Sequence, residues 1–253
     1  MDTTTQFVGI VLILVALVAL VVAAQVQRRR QQAFALRPIP AYEALPDLVG
    51  AAIEANRPLH LSLGSAGLGG NSTLLALAGT ELLYQVAQRS AISAVPPLFT
   101  VSDTTAIPLG HDTLRRAYQA RGLLERYRPG AVRWYPAGPR SLAFAAGLTA
   151  AMGDDNVSAN LLVGSFGPEL ALIGEAAHRR DQPLIAASDQ PEGQAVAYAF
   201  SDQPLIAEEL FAGGAYLSTD AAQVGALVAQ DVLRWLLIAA LVVSAVLAAA
   251  GGG

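Results

Sequence analysis

Two stretches of this chain carry the residue types that bind ligands through the backbone: LSLGSAGLGGNS, Leu61 to Ser72, and LLVGSFGPE, Leu161 to Glu169. Each reads as an apolar run, then Gly-Ser-x-Gly, then a helical pattern. A helix N-terminus opening from such a bend presents free N–H groups and a positive dipole end, which favour an anion. The candidate binding residues are Gly64, Ser65, Gly67, Gly69, Gly70, Asn71 and Ser72 in the first bend. In the second they are Gly164, Ser165, Gly167 and Glu169. Neither phosphate-binding fingerprint is complete. From Gly67 the dinucleotide pattern has Ser72 at its third glycine, and from Gly64 the P-loop pattern has Gly70 and Asn71 in place of lysine and serine or threonine. Asp103, after the next apolar run, is the acid that would meet a ribose, though it lies farther along than the usual spacing. The competing reading is that the glycines only allow tight turns and close helix–sheet packing. The cofactor, if there is one, stays unknown.

Other chemistry is bounded by what the chain lacks. Among its 253 residues there is no cysteine, and every basic side chain is arginine. Thiol nucleophiles, thiolate metal sites, Schiff bases and a P-loop lysine are therefore excluded. A nucleophile elbow at Ser65 or Ser165 would need glycine two residues earlier, where Leu63 and Val163 stand. His60 lies within an apolar run and reads as a hydrogen-bonded core residue; His111 and His178 sit at helix ends. The pair Glu208 and Glu209 offers the acids for an enzyme, with Asp103 as a third, and it equally suits a helix cap. Arginines from Arg115 to Arg140 interleave with Tyr118, Tyr127, Trp134 and Tyr135, but the net charge of -4 argues against nucleic acid. The favoured function is a non-enzymatic scaffold or sensor binding a small anion or nucleotide. The alternative is an enzyme using Glu208, Glu209 and Asp103 in the same crevice.

Positioning these residues requires a strand–helix alternation. Strands are expected at Leu59–Leu63, Leu98–Val101, Val132–Tyr135, Asn160–Val163, Leu184–Ala187 and Leu205–Ala207. Helices are expected at Ala44–Asn56, Ser72–Arg89, Pro108–Leu124, Pro139–Met152 and Pro168–Arg179. Uniformly apolar strands separated by helices indicate a doubly wound, mainly parallel Rossmann-like sheet of about six strands. In the commonest such order the first and fourth strands are neighbours, which would bring both bends to one crevice. The hexapeptide DQPLIA occurs at Asp181 and again at Asp202, a reused turn-into-strand solution without a sustained period.

The ends are strongly apolar, and the mean hydropathy is +0.44. Phe7–Ala24 and Trp235–Gly253 read as lipid-spanning helices. The triplet Arg28–Arg30 puts the intervening domain on the cytoplasmic side. The expected organisation is an anchor over 1–27, a connector with a short helix over 28–57, an α/β domain over 58–219, and a long helix over 220–253 continuing into the second span. The expected partners are the bilayer, a second copy packing through Ala239, Ala240, Ser244 and Ala248, and a small anionic ligand. With HLSLGSAGLGG, LLVGSFGPE, EELFAGGAYL and QDVLRWLL in this order, the chain resembles a bacterial family of membrane-anchored proteins classed as a domain of unknown function. The resemblance implies the architecture and a bacterial plasma-membrane location, and lends no catalytic residue.

Overall fold

The computed structural model describes residues 37–218 without a break, together with 15, 18, 25, 223–225, 227, 229–231, 233–238, 241 and 242. The chain divides into two units, Pro38–Leu217 and one drawn from its ends, Met1–Arg37 with Ser218–Gly253. The α/β architecture belongs to the first.

Its elements run α1 (Pro40–Glu54), β1 (Leu59–Gly64), α2 (Thr73–Ser90), β2 (Leu98–Val101), α3 (Ile107–Ala120), β3 (Val132–Trp134), α4 (Leu142–Asp154), β4 (Ala159–Ser165), α5 (Leu170–His178), β5 (Leu184–Ser188), α6 (Pro191–Phe200) and α7 (Gly213–Leu217). The five strands lie in the order β3-β2-β1-β4-β5, and every pairing is parallel. All residues of β1, β2, β4 and β5 are buried, as a sheet covered on both faces requires. Alternation along the strands assigns those faces. Leu161 and Ile185 meet Leu45 and Val49 of α1 and Val86 of α2. Their neighbours Leu162, Leu184 and Ala186 join Phe144, Leu148 and Met152 of α4, Leu170 and Ile173 of α5, and Ala197 of α6 in the larger apolar cluster.

Three expectations need correction. The sheet has five strands, not six: Leu205–Ala207 forms no strand. Asp202 N–H bonds Leu184 O at 3.0 Å and Leu205 N–H bonds Ala186 O at 3.1 Å, so the segment begins to run beside β5. Pro204 then supplies no donor, and Ala207 turns away at φ 52° into a 3-10 turn, Ala207–Ala212. Second, α6 lies where no helix is expected, with Pro191 in its first turn.

The third correction concerns the ends. A crossing needs about 20 consecutive apolar residues in one helix, and among the described residues no helix is long and apolar enough to cross a membrane. The expected spans at Phe7–Ala24 and Trp235–Gly253, the multi-pass topology and the plasma-membrane location therefore do not stand. Much of both segments, and part of the long helix expected from residue 220, lies outside the described residues.

Candidate functional site

The winding reverses between β1 and β4, the topological switch point at which open α/β sheets bind ligands beyond their carboxyl ends. Both Gly-Ser-x-Gly bends leave the sheet there. Gly64 pairs with Ser165 across the strands after a register shift in β1. The Ser65 N–H donates to Ser165 O at 2.9 Å, and the Ser65 hydroxyl donates to the same oxygen at 3.0 Å. Sequence spacing thus brings Gly64, Ser65, Gly164 and Ser165 together at one rim.

Two of these glycines are required by each other's strand. A Cβ on Gly164 would stand 1.9 Å from Leu63 O, and one on Gly64, itself at φ 60°, would stand 2.3 Å from Ser165 O. Both clashes are with backbone, which has no rotamer by which to yield.

Farther into the first bend, hydroxyls occupy the donors. Thr73 Oγ1 accepts from Gly69 N at 2.9 Å and Gly70 N at 3.1 Å, Ser72 Oγ accepts from Gly67 N at 3.2 Å, and Thr105 Oγ1 accepts from Leu68 N at 2.8 Å. Asp103 closes the same rim. Its Oδ1 takes Thr105 N–H at 2.7 Å and the Thr105 hydroxyl at 2.6 Å, and its carboxyl group packs on the Cα of Gly67. Asn71 is exposed.

The second bend is closed in the same way. Glu169, only 6% exposed, turns its Oε1 back to Gly167 N–H at 2.8 Å, holding the bend just ahead of α5. The end of β5 completes the surroundings. Ser188 Oγ accepts from Phe166 N at 3.1 Å and donates to Phe166 O at 2.6 Å, while Gln190 Nε2 donates to Ser165 Oγ at 2.9 Å. The sequence reading missed Thr73, Thr105, Ser188 and Gln190. The signal for the last two was Pro191, which marks a helix start directly after an apolar run.

Glu208 and Glu209 lie in the 3-10 turn Ala207–Ala212, which packs on α2. Glu209 Oε2 accepts Ile206 N–H at 3.0 Å, a cap on that turn, and its backbone carbonyl accepts the Tyr42 hydroxyl. Burial, with Glu209 and Tyr216 beside it, raises the Tyr42 phenol well above its usual range. His60 is a core residue with no exposure, and His111, within α3, bonds the Tyr127 hydroxyl at 2.6 Å. Three of the clustered arginines, Arg121, Arg126 and Arg128, serve the backbone. Arg121 donates to Gln88 O and Arg126 to Ile92 O and Ser93 O, closing the C-terminal end of α2, while Arg133 forms a two-pronged pair with Asp155 at 2.5 and 2.8 Å. Among the described residues no group of three or more His, Asp or Glu side chains is placed to hold a metal ion.

No curated protein and no solved structure matches the chain. A family match does span residues 2–252, and on it the chain belongs to the family described as Domain of unknown function (DUF6754), which meets the expectation of an uncharacterised family at that level and no finer.

Proposed function

We propose that the chain is a non-enzymatic α/β module, a sensor or scaffold, that binds a nucleotide or similar small anion at the rim between its two Gly-Ser-x-Gly bends. The observation that carries this reading is the junction of the bends at the switch point, where Ser65 bonds Ser165 O through both its N–H and its hydroxyl. The hydroxyl bonds inside the first bend suit it too. A phosphate oxygen taking the place of Thr73 Oγ1 would inherit the Gly69 and Gly70 donors, and the threonine needs only a side-chain rotation to yield them. Asp103, against Gly67, is then positioned for a sugar hydroxyl. The enzyme reading loses support because the carboxylate of Glu209 is engaged in the cap of its own 3-10 turn.

A thermal-shift screen of the full chain against nucleoside mono-, di- and triphosphates and inorganic phosphate tests the proposal, with native mass spectrometry to detect a copurifying ligand. Saturable stabilisation by at least one is expected. Thr73→Ala is expected to cost about 1 kcal/mol without ligand and to enlarge the ligand-induced shift, since it frees both donors. If nothing in the panel stabilises the protein and nothing copurifies, the proposal fails.

A further inference from the structure

Trp134 is the last residue of β3 and leaves 46% of its surface exposed. A lone exposed apolar ring says little by itself; its place says more. Gly64, Val101 and Trp134 stand opposite one another in a single row across β1, β2 and β3, at the carboxyl ends of all three strands. The row therefore starts at the junction of the two bends, passes β2 two residues before Asp103, and ends at the indole.

Two observations decide which way the ring lies. Its Nε1–H donates to Ser102 O at 2.9 Å, which draws the indole towards the end of β2, next in sequence to Asp103. Side chains alternate along a strand, so Trp134 shares the face of Val132, which meets Gly110 of α3. Arg133 turns to the opposite face and pairs with Asp155 at the end of α4. α3 packs beside α2, the helix that the first bend opens. The indole and the first bend, with Asp103 against its Gly67, thus share one end of the sheet and one side of it.

The order along the rim is chemical as well as spatial. The N–H groups of Gly69 and Gly70 follow β1, the Asp103 carboxylate follows β2, and a flat aromatic surface stands at β3. Neighbouring strands lie about 4.8 Å apart, so the row from Gly64 to Trp134 covers about 10 Å. A nucleotide reaches over a length of that order from its phosphate, across the ribose, to its base. We propose that Trp134 is the platform on which that base stacks, so that the rim selects nucleotides over inorganic phosphate and base-free sugar phosphates. The inference rests on the rim reading above and adds the selectivity to it. Every base has a π-face, so the class it names is the nucleotide rather than one particular base. The bond to Ser102 O holds the indole in place before a ligand arrives, which reduces the ordering that binding has to impose.

The test compares AMP with ribose 5-phosphate, which carries a hydroxyl where AMP carries its base, by isothermal titration calorimetry of the full chain. AMP is expected to bind about tenfold tighter, the worth of one stacked base. Trp134→Ala is expected to bring the two ligands to equal affinity, whereas Trp134→Phe keeps a ring and is expected to keep most of the difference. The chain has two tryptophans, so in Trp235→Phe the indole emission comes from Trp134 alone. AMP is expected to quench that emission saturably and ribose 5-phosphate to leave it as it was, a readout that a tryptophan merely covering the sheet edge would not give. Equal affinities in the natural chain, an AMP preference that survives Trp134→Ala, or AMP binding without quenching overturns the inference and leaves the rim reading standing. Failure of both ligands to bind overturns it as well, and the rim reading falls with it only where the thermal-shift panel is also flat.

Discussion

His60 stands in β1 with both ring nitrogens engaged. Nδ1 meets Asn160 Oδ1 at 2.9 Å and Nε2 meets Thr100 Oγ1 at 2.8 Å. Asn160 Nδ2 donates onward to Gln182 Oε1 at 3.4 Å, so its oxygen faces the histidine and the proton sits on Nδ1. The ring is thus held neutral inside a polar row that crosses β2, β1 and β4. Burial lowers its pKa to about 4; the bond to Asn160 and the charge of Asp155 oppose that, and Arg133 adds to it. Because the folded value lies below the unfolded value of 6.5, protons bind preferentially to the unfolded chain. The stabilisation is complete above pH 6.5 and is lost as the pH falls towards 4. Between pH 7 and 4.5 this group alone is expected to remove about 2 kcal/mol. Urea midpoints of the natural chain and of His60→Gln at the two pH values check it. The variant is expected to be weaker at neutral pH and to lose that much less on acidification; identical pH slopes would refute the assignment.

Among the elements, the β1 and β4 ends show that glycine has two different uses in one motif. Gly164 and Gly64 are fixed by the approach of neighbouring strands, whereas a Cβ on Gly70 meets nothing within 4 Å. Gly164→Ala is therefore expected to cost more than 3 kcal/mol, and Gly70→Ala to stay within about 0.5 kcal/mol. Chemical denaturation of both variants measures the difference. Losses of equal size would mean that the bend, rather than the strand contact, needs the glycines. This division was not legible in the sequence, because GSAG and GSFG look alike whether a glycine yields to a ligand or to a carbonyl. The positions of the bends were legible. Strand–helix alternation placed β1 to β5 to within a residue or two, and the switch-point rule made β1 and β4 neighbours. The partners that close the bends were not. Thr105, Ser188 and Gln190 reach them from other strands' ends, and no local spacing records such distant bonds.

For the molecule as a whole, the sixth strand is the informative error. DQPLIA makes a strand at Asp181 and fails to make one at Asp202, although the six residues are identical. At the first copy β4 lies alongside and takes up the ladder; at the second only the sheet margin is available, and Pro204 and Ala207 end the pairing. Context decides what propensity leaves open. The outcome bears on behaviour in a crowded solution. A parallel sheet that stops at a bare margin invites a stranger's strand, and here the chain drapes its own second copy along that margin without offering a full row of donors. Pro204→Ala would restore a donor and is expected to leave the monomer's stability within about 0.5 kcal/mol while hastening multimer growth. Light scattering on concentrated samples follows that growth, and an unchanged rate would mean the proline plays no such part. By this account one imperfectly repeated move finishes the sheet and leaves its margin a poor template for another strand.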